Sequence, residues 1–94
     1  MKVEGFIWLE QYVDKLETKH YVTPEEAEEV FYNNPSIRKV EKGYRRGEHV
    51  YRALGRTMAG RYLFVLFIYK PSSQYVLVVS ARDMDESERK SYDR

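Results

Sequence analysis

The chemically versatile side chains of this 94-residue chain are arginines, lysines, two histidines and nine tyrosines, and several stand at the ends of elements. Lys19 and His20 close an amphipathic stretch, Arg56 and Arg61 flank a Met58-Ala59-Gly60 turn, and Arg82 ends an apolar run. Arg89 and Tyr92 lie three positions apart further on. Such groups can hold a phosphodiester and move protons around it. Arginine's planar fork matches charged oxygens, and histidine exchanges a proton near neutral pH. When a 2′-hydroxyl attacks its neighbouring phosphate, the reaction needs a base for the hydroxyl, a cation for the developing charge and an acid for the leaving oxygen. The composition permits this chemistry without diagnosing it.

Other reaction classes find no support. There is no G-x-G-x-x-G after a strand and no G-x-x-x-x-G-K-S/T loop to cradle a nucleotide. His20 and His49 are not spaced as a ligand pair and no cysteine joins them, so neither a metal nor another cofactor is expected. No G-x-S-x-G elbow occurs. Glu25, Glu26, Glu28 and Glu29 crowd a helix start, where the helix dipole and solvent account for them.

Each candidate also has a structural reading. Lys19 and His20 would complement the dipole at a helix C-terminus. Arg56 and Arg61 could bind phosphate together or merely solvate a hairpin. Arg82 ends a buried strand, where a charge wants a partner; the alternatives are phosphate, a helix end or Glu88. Glu88 itself reads as a cap before an acid. Arg89 and Tyr92 share one face of a final helix. Lys42, Arg45, Arg46 and Arg52 would attract RNA phosphates or the acidic parts of a protein partner.

The elements that must position these groups follow from periodicity. Gly5 to Leu9 suits an edge strand, and Leu9, Tyr12, Val13, Leu16 and His20 recur at helical spacing. Thr23-Pro24-Glu25-Glu26 combines a capping threonine, a proline at the first helical position and a capping-box glutamate. Val22 and Ala27 stand where a hydrophobic staple would place them. Ala27, Val30 and Phe31 form the buried stripe, and Asn33-Asn34-Pro35 ends the helix. Strands are expected over 37–41 and 49–57, with a polar loop through Gly43 and Gly47 between them. Tyr62 to Tyr69 is apolar at every step, which predicts a central strand covered on both sides. Gln74 to Arg82 is another strand after the Pro71-Ser72-Ser73 turn, and Asp85 and Glu88 cap a last helix. The expectation is a single α+β domain: a short N-terminal strand, two helices, an antiparallel β-meander and a C-terminal helix.

Charge is unevenly spread. Residues 1–37 carry three basic and eight acidic side chains, whereas 38–61 carry eight basic and two acidic, which suggests a surface with two poles. The absence of cysteine makes a reducing, cytoplasmic setting the default. The longest apolar run falls far short of the ~20 residues of a membrane span, and the first residues do not read as an export signal.

Trp8, Lys19-His20-Tyr21-Val22 and Ala27-Glu28-Glu29-Val30-Phe31 resemble the opening of BrnT-family toxins, where W-D…K-H-G-V…A-x-E-V-F is usual. The likeness continues through Gly47-Glu48, Leu54-Gly55-Arg56-Thr57, Gly60-Arg61 and the strand from Leu63 to Phe67. Ser80-Ala81-Arg82, Glu88-Arg89 and Tyr92 resemble the family's I-S-A-R-x-x-x-x-x-E-R-x-x-Y close. Leu9, Tyr12 and Tyr21 depart from it, replacing an aspartate, a common lysine and a glycine. The resemblance implies a RelE-like fold and a ribonuclease toxin of a type II toxin–antitoxin pair. Its partners would be RNA and a cognate DNA-binding antitoxin, with which it could form an oligomer. Arg82, Arg56, Lys19 and His20 would then be catalytic. Arg61, Arg89, Tyr92, Lys42, Arg45, Arg46 and Arg52 would bind RNA. The competing reading is a non-catalytic RNA- or protein-binding domain on the same scaffold, or a subunit that assembles through a sheet edge.

Overall fold

Two helix starts are written into the chain, and both form as expected. In the computed structural model, which describes residues 1–41 and 47–94, α2 (Pro24–Tyr32) opens on a complete capping box. The Thr23 hydroxyl accepts from the Glu26 N–H at 3.1 Å, and Thr23 N–H donates to Glu26 Oε1 at 3.0 Å. Val22 and Ala27 are fully buried, as a staple requires. The final helix α3 (Glu86–Asp93) repeats the device with Asp85 and Glu88. Before α2 lies α1 (Glu10–His20), which turns Leu16 into the core. It ends on Tyr21, held in the left-handed conformation at φ 54° and ψ 38° while Val22 N–H reaches back to the Leu16 carbonyl. That conformation costs a side-chain-bearing residue roughly 1–2 kcal/mol.

The strands are β1 (Gly5–Ile7), β2 (Ser36–Glu41), β3 (Val50–Arg56), β4 (Tyr62–Lys70) and β5 (Tyr75–Asp83). They form one sheet in the order β1-β5-β4-β3-β2. β2 to β5 make the expected antiparallel meander, but β1 joins the far edge parallel to β5, so the sheet is mixed. Gly5 faces the Tyr75 ring there, where a Cβ would come within 2.8 Å. The tight β3–β4 turn uses Gly60 at φ 94°, and Thr57 anchors it by exchanging bonds with Arg61. The segment containing Gly43, Lys42, Arg45 and Arg46 lies outside the described residues.

β4 is central as expected, yet it is covered unequally. Leu63, Val65 and Phe67 are fully buried beneath α1 and α2, whereas Tyr62, Phe64, Leu66 and Ile68 are only half-buried on the opposite face. Two helices cover the first face. The second has only the eight-residue α3, which buries none of its own residues, and the stems of arginines. Amphipathic side chains can shelter apolar surface in this way while keeping their charges wet.

A β-bulge decides which side chains meet on that second face. The β4–β5 register shifts between Leu66 and Phe67, paired to Ser80 and Val78, so Val79 is the extra residue. Val76 and Val78 point into the core before it, and Ala81 does so after it. Side chains alternate along a strand, so without the bulge Arg82 would share the core face with Val78. With it, Arg82 pairs across from Phe64 on the α3 side.

α2 presses closest to the sheet at Gly55, where an added Cβ would lie 2.8 Å from Val30 Cγ1 and 3.4 Å from the Val30 carbonyl. Gly55→Ala should therefore destabilise the protein by about 1–3 kcal/mol through overpacking. The midpoint of urea unfolding would fall, with an unchanged slope.

Candidate nucleic-acid interface

The α3 side of the sheet is where five expected site residues converge, four of them arginines. Arg52 and Arg56 stand on β3, Arg82 on β5, and Arg89 reaches down from α3; β4 supplies an aromatic floor between them. The register pairs Arg56 with Tyr62 and Arg82 with Phe64. The Arg82 guanidinium sits 4.1 Å from the Phe64 ring centre, and Tyr62 has Arg89 at 4.0 Å and Arg56 at 5.5 Å. A cation over an aromatic face is attracted by the ring's negative quadrupole. Tyr92 packs edge-to-face on Tyr62, whose hydroxyl donates to Asp93 at 3.2 Å.

Arg82 is also ion-paired. Its Nη1 and Nη2 donate to the two Glu88 oxygens at 2.8 and 2.9 Å, and Nη1 reaches the Asp83 carbonyl at 3.0 Å. Hydrogen bonding from Arg82 pulls the Glu88 carboxyl below its usual range, against its own desolvation, and Arg52 adds a smaller effect. Glu88 thus caps α3, as its spacing indicated, and also holds Arg82 in plane above Phe64. Arg56 is different. It is exposed and, among the described residues, has no carboxylate partner. It borders a cleft of about 550 Å³ whose other walls include Asn34, Ser36, Tyr92 and Arg94. The Tyr92 hydroxyl points to the Asn34 carbonyl across a long 3.4 Å.

Arg61 does not join this group. As the odd-numbered residue just before β4 it faces the helix side, where all five N–H groups of a guanidinium find acceptors. Nε and Nη2 bind Asp83 at 2.7 and 3.2 Å, Nη1 binds the Tyr21 carbonyl at 2.8 Å and Glu26 at 3.3 Å, and Nη2 binds the His20 carbonyl at 3.1 Å. A guanidinium with every donor engaged has no fork left for phosphate, so the geometry assigns Arg61 to the fold. Lys19 and His20 stand at the same helix end, across the sheet rim from Arg56 and Arg82. Lys19 is exposed and His20 half-buried, near enough for its charge to act on Asp83. The four residues first grouped as catalytic therefore fall into two pairs on opposite sides of one rim. Lys42, Arg45 and Arg46 lie outside the described residues. Among the described residues, no cluster of three or more His, Asp or Glu could hold a metal ion.

Tyr62 and Phe64, the floor beneath the arginines, and Asp83, the anchor of Arg61, were missed as site residues. The signal was present for the first two: aromatics at alternate positions on the solvent-facing side of an apolar strand are spaced to serve one face. Asp83 carried no such signal, because its partner is 22 residues away.

Fold and site together define a small α+β protein with arginines laid over aromatic rings on one sheet face. The family model described as a ribonuclease toxin, BrnT, of type II toxin–antitoxin systems matches residues 8–88. The chain belongs to that family of toxin endoribonucleases, each the partner of an antitoxin. The crystal structure of the Brucella abortus ribonuclease toxin BrnT is similar to it, with a TM-score of 0.69 and 18% identity over 87% of this chain and 97% of that one. At that identity the likeness shows the α+β fold, which agrees with the element order read from the sequence. No match was found among curated proteins.

The Arg82–Glu88 and Arg61–Asp83 pairs give a pH dependence of definite sign. Both carboxyls titrate lower in the folded chain than their ordinary values of 4.5 and 3.8, chiefly through hydrogen bonds from the arginines. Their stabilisation is complete above those values and is lost as pH falls below them through the depressed folded values. The melting temperature should drop steeply below about pH 4.5, and Glu88→Gln should flatten part of that slope. An unchanged acid limb in a folded Glu88→Gln protein would remove the pair from the account.

Proposed function

We propose that this toxin cuts RNA by attack of a 2′-hydroxyl on the adjacent phosphate, on the α3 face of its sheet. The observation that carries the reading is the convergence of Arg56, Arg82 and Arg89 over Tyr62 and Phe64 beside an open polar cleft. Arg56 offers its guanidinium to the non-bridging phosphate oxygens, with Arg82, oriented by Glu88, stabilising the charge that develops there. Tyr92, loosely held at the cleft, carries a proton to or from the reacting oxygens. Arg52 adds attraction for the flanking phosphates. Lys19 and His20 meet the RNA chain on the far side of the rim, away from the scissile phosphate. The reaction belongs in the cytoplasm, where RNA is, and a DNA-binding antitoxin silences it.

Arg56 is the cleanest test, since removing an exposed side chain without an ion pair should leave stability within about 0.5 kcal/mol. Induced in a bacterial host, the wild type should arrest growth and degrade total RNA, while Arg56→Ala relieves both. In vitro its kcat should fall about a hundredfold, the loss typical for one transition-state donor. A folded Arg56→Ala protein cutting RNA at the wild-type rate would dismiss Arg56, and intact RNA with the wild type would dismiss the mechanism.

A further inference from the structure

Tyr21 combines three properties that packing does not explain. It occupies the left-handed region, which glycine would enter freely. Its side chain is 79% exposed, so it contributes little to the core. Its backbone is nonetheless held firmly, because Arg61 binds both the His20 and the Tyr21 carbonyls while anchored to Asp83 and Glu26. Strained backbone that its surroundings over-determine clusters at ligand clamps and active sites.

Its surroundings indicate what it meets. Lys19 and His20 precede it, the first exposed and the second half-buried. The acidic neighbours Glu26 and Asp83 are turned onto Arg61. A chain of contacts runs from the Tyr21 carbonyl through Arg61 to Asp83, the residue after Arg82. An aromatic ring next to cations, on the rim that ends at the arginine cluster, is the arrangement that single-stranded nucleic acids use: phosphates along basic groups and bases on π-faces.

Resting on the RNA-cleaving reading above, we infer that Tyr21 is a base-stacking residue for single-stranded RNA that leaves the α3 face and crosses the rim past Lys19 and His20. It is a positioning residue: it touches a base flanking the cut and holds the strand in register over Arg56 and Arg82. This gives the two separated groups of cations one ligand.

The test pairs affinity with stability, which the proposal moves in opposite directions. The probe is a fluorescein-labelled 2′-O-methyl RNA decamer, which lacks the attacking hydroxyl, titrated by anisotropy at low salt. Tyr21→Gly should raise the melting temperature by about 4 °C, by relieving the left-handed strain, yet weaken RNA binding about tenfold, the loss of one stacked base. Tyr21→Phe, which keeps the ring, should restore the affinity. A Tyr21→Gly protein that binds the decamer as the wild type does overturns the inference while leaving the α3-face site standing. If it binds RNA normally but escapes its antitoxin, Tyr21 is a protein contact and the inference is wrong. A wild type that does not bind the decamer at all overturns both this and the RNA reading.

Discussion

One guanidinium organises this fold. Arg61 immediately precedes β4 and reaches the last residue of β5, the capping glutamate of α2 and the carbonyls at the end of α1. Those elements meet at the rim, where a set of directed bonds adds to the core packing of Leu16, Val22, Ala27, Leu63 and Ala81. Glu26 is used twice, closing the capping box of α2 and accepting from Arg61. The left-handed helix end at Tyr21 depends on the same contact, because its carbonyl is one of the acceptors. Remove the guanidinium, and two carboxylates and two helix-end carbonyls lose their partner together. Water can take over at the largely exposed Asp83, so the cost falls mainly on the half-buried Glu26 and the helix-end carbonyls.

The second constraint is the bulge at Val79. A regular strand would have sent Arg82 towards α1 and α2, into the buried face. One extra residue reverses the alternation and delivers Arg82 to the side floored by Phe64, which is a known use of bulges beside functional sites. The first constraint keeps a charge out of the α3 face by giving Arg61 a complete set of acceptors. The second brings one in. Both operate within a few residues of the same sheet end, which is why the rim is so dense in charge.

These two features also mark the limit of what could be read from the chain. The capping boxes at Thr23 and Asp85 are local, with all their atoms inside four residues, and they formed as the pattern indicated. The meander was legible because alternating or continuous apolar runs broken by Met58-Ala59-Gly60 and Pro71-Ser72-Ser73 admit few alternatives. The parallel attachment of β1 was not, since pairing across some 70 residues leaves no local trace. Nor was the bulge: Gln74 to Arg82 reads as an uninterrupted strand, and only the register against β4 reveals the extra residue. The candidate residues were read as a set of groups, mostly cations, at element ends, but facing is a long-range property. Arg56 and Arg61, which look equivalent on either side of a tight turn, differ in parity and so in fate.

That difference suggests how to rank arginines in a small toxin. Arg61 has every donor satisfied within the protein, and a ligand could recruit it only by breaking the rim. Arg82 has its fork half-spent on Glu88 and one face on Phe64, which fixes its direction while leaving charge available at the surface. Arg56 rests loosely beside Tyr62 and forms no ion pair among the described residues, although Asp93 lines the same cleft. Internal pairing and external capacity run in opposite order along this series. A phosphate entering the cleft would meet Arg56 first, because no protein bond must break before it binds. On the proposed mechanism Arg82 would then be the preorganised member, with its orientation already settled by the fold. The division between a free cation and a braced one follows from hydrogen-bond satisfaction alone, and the proposed mechanism assigns capture to the first and stabilisation to the second.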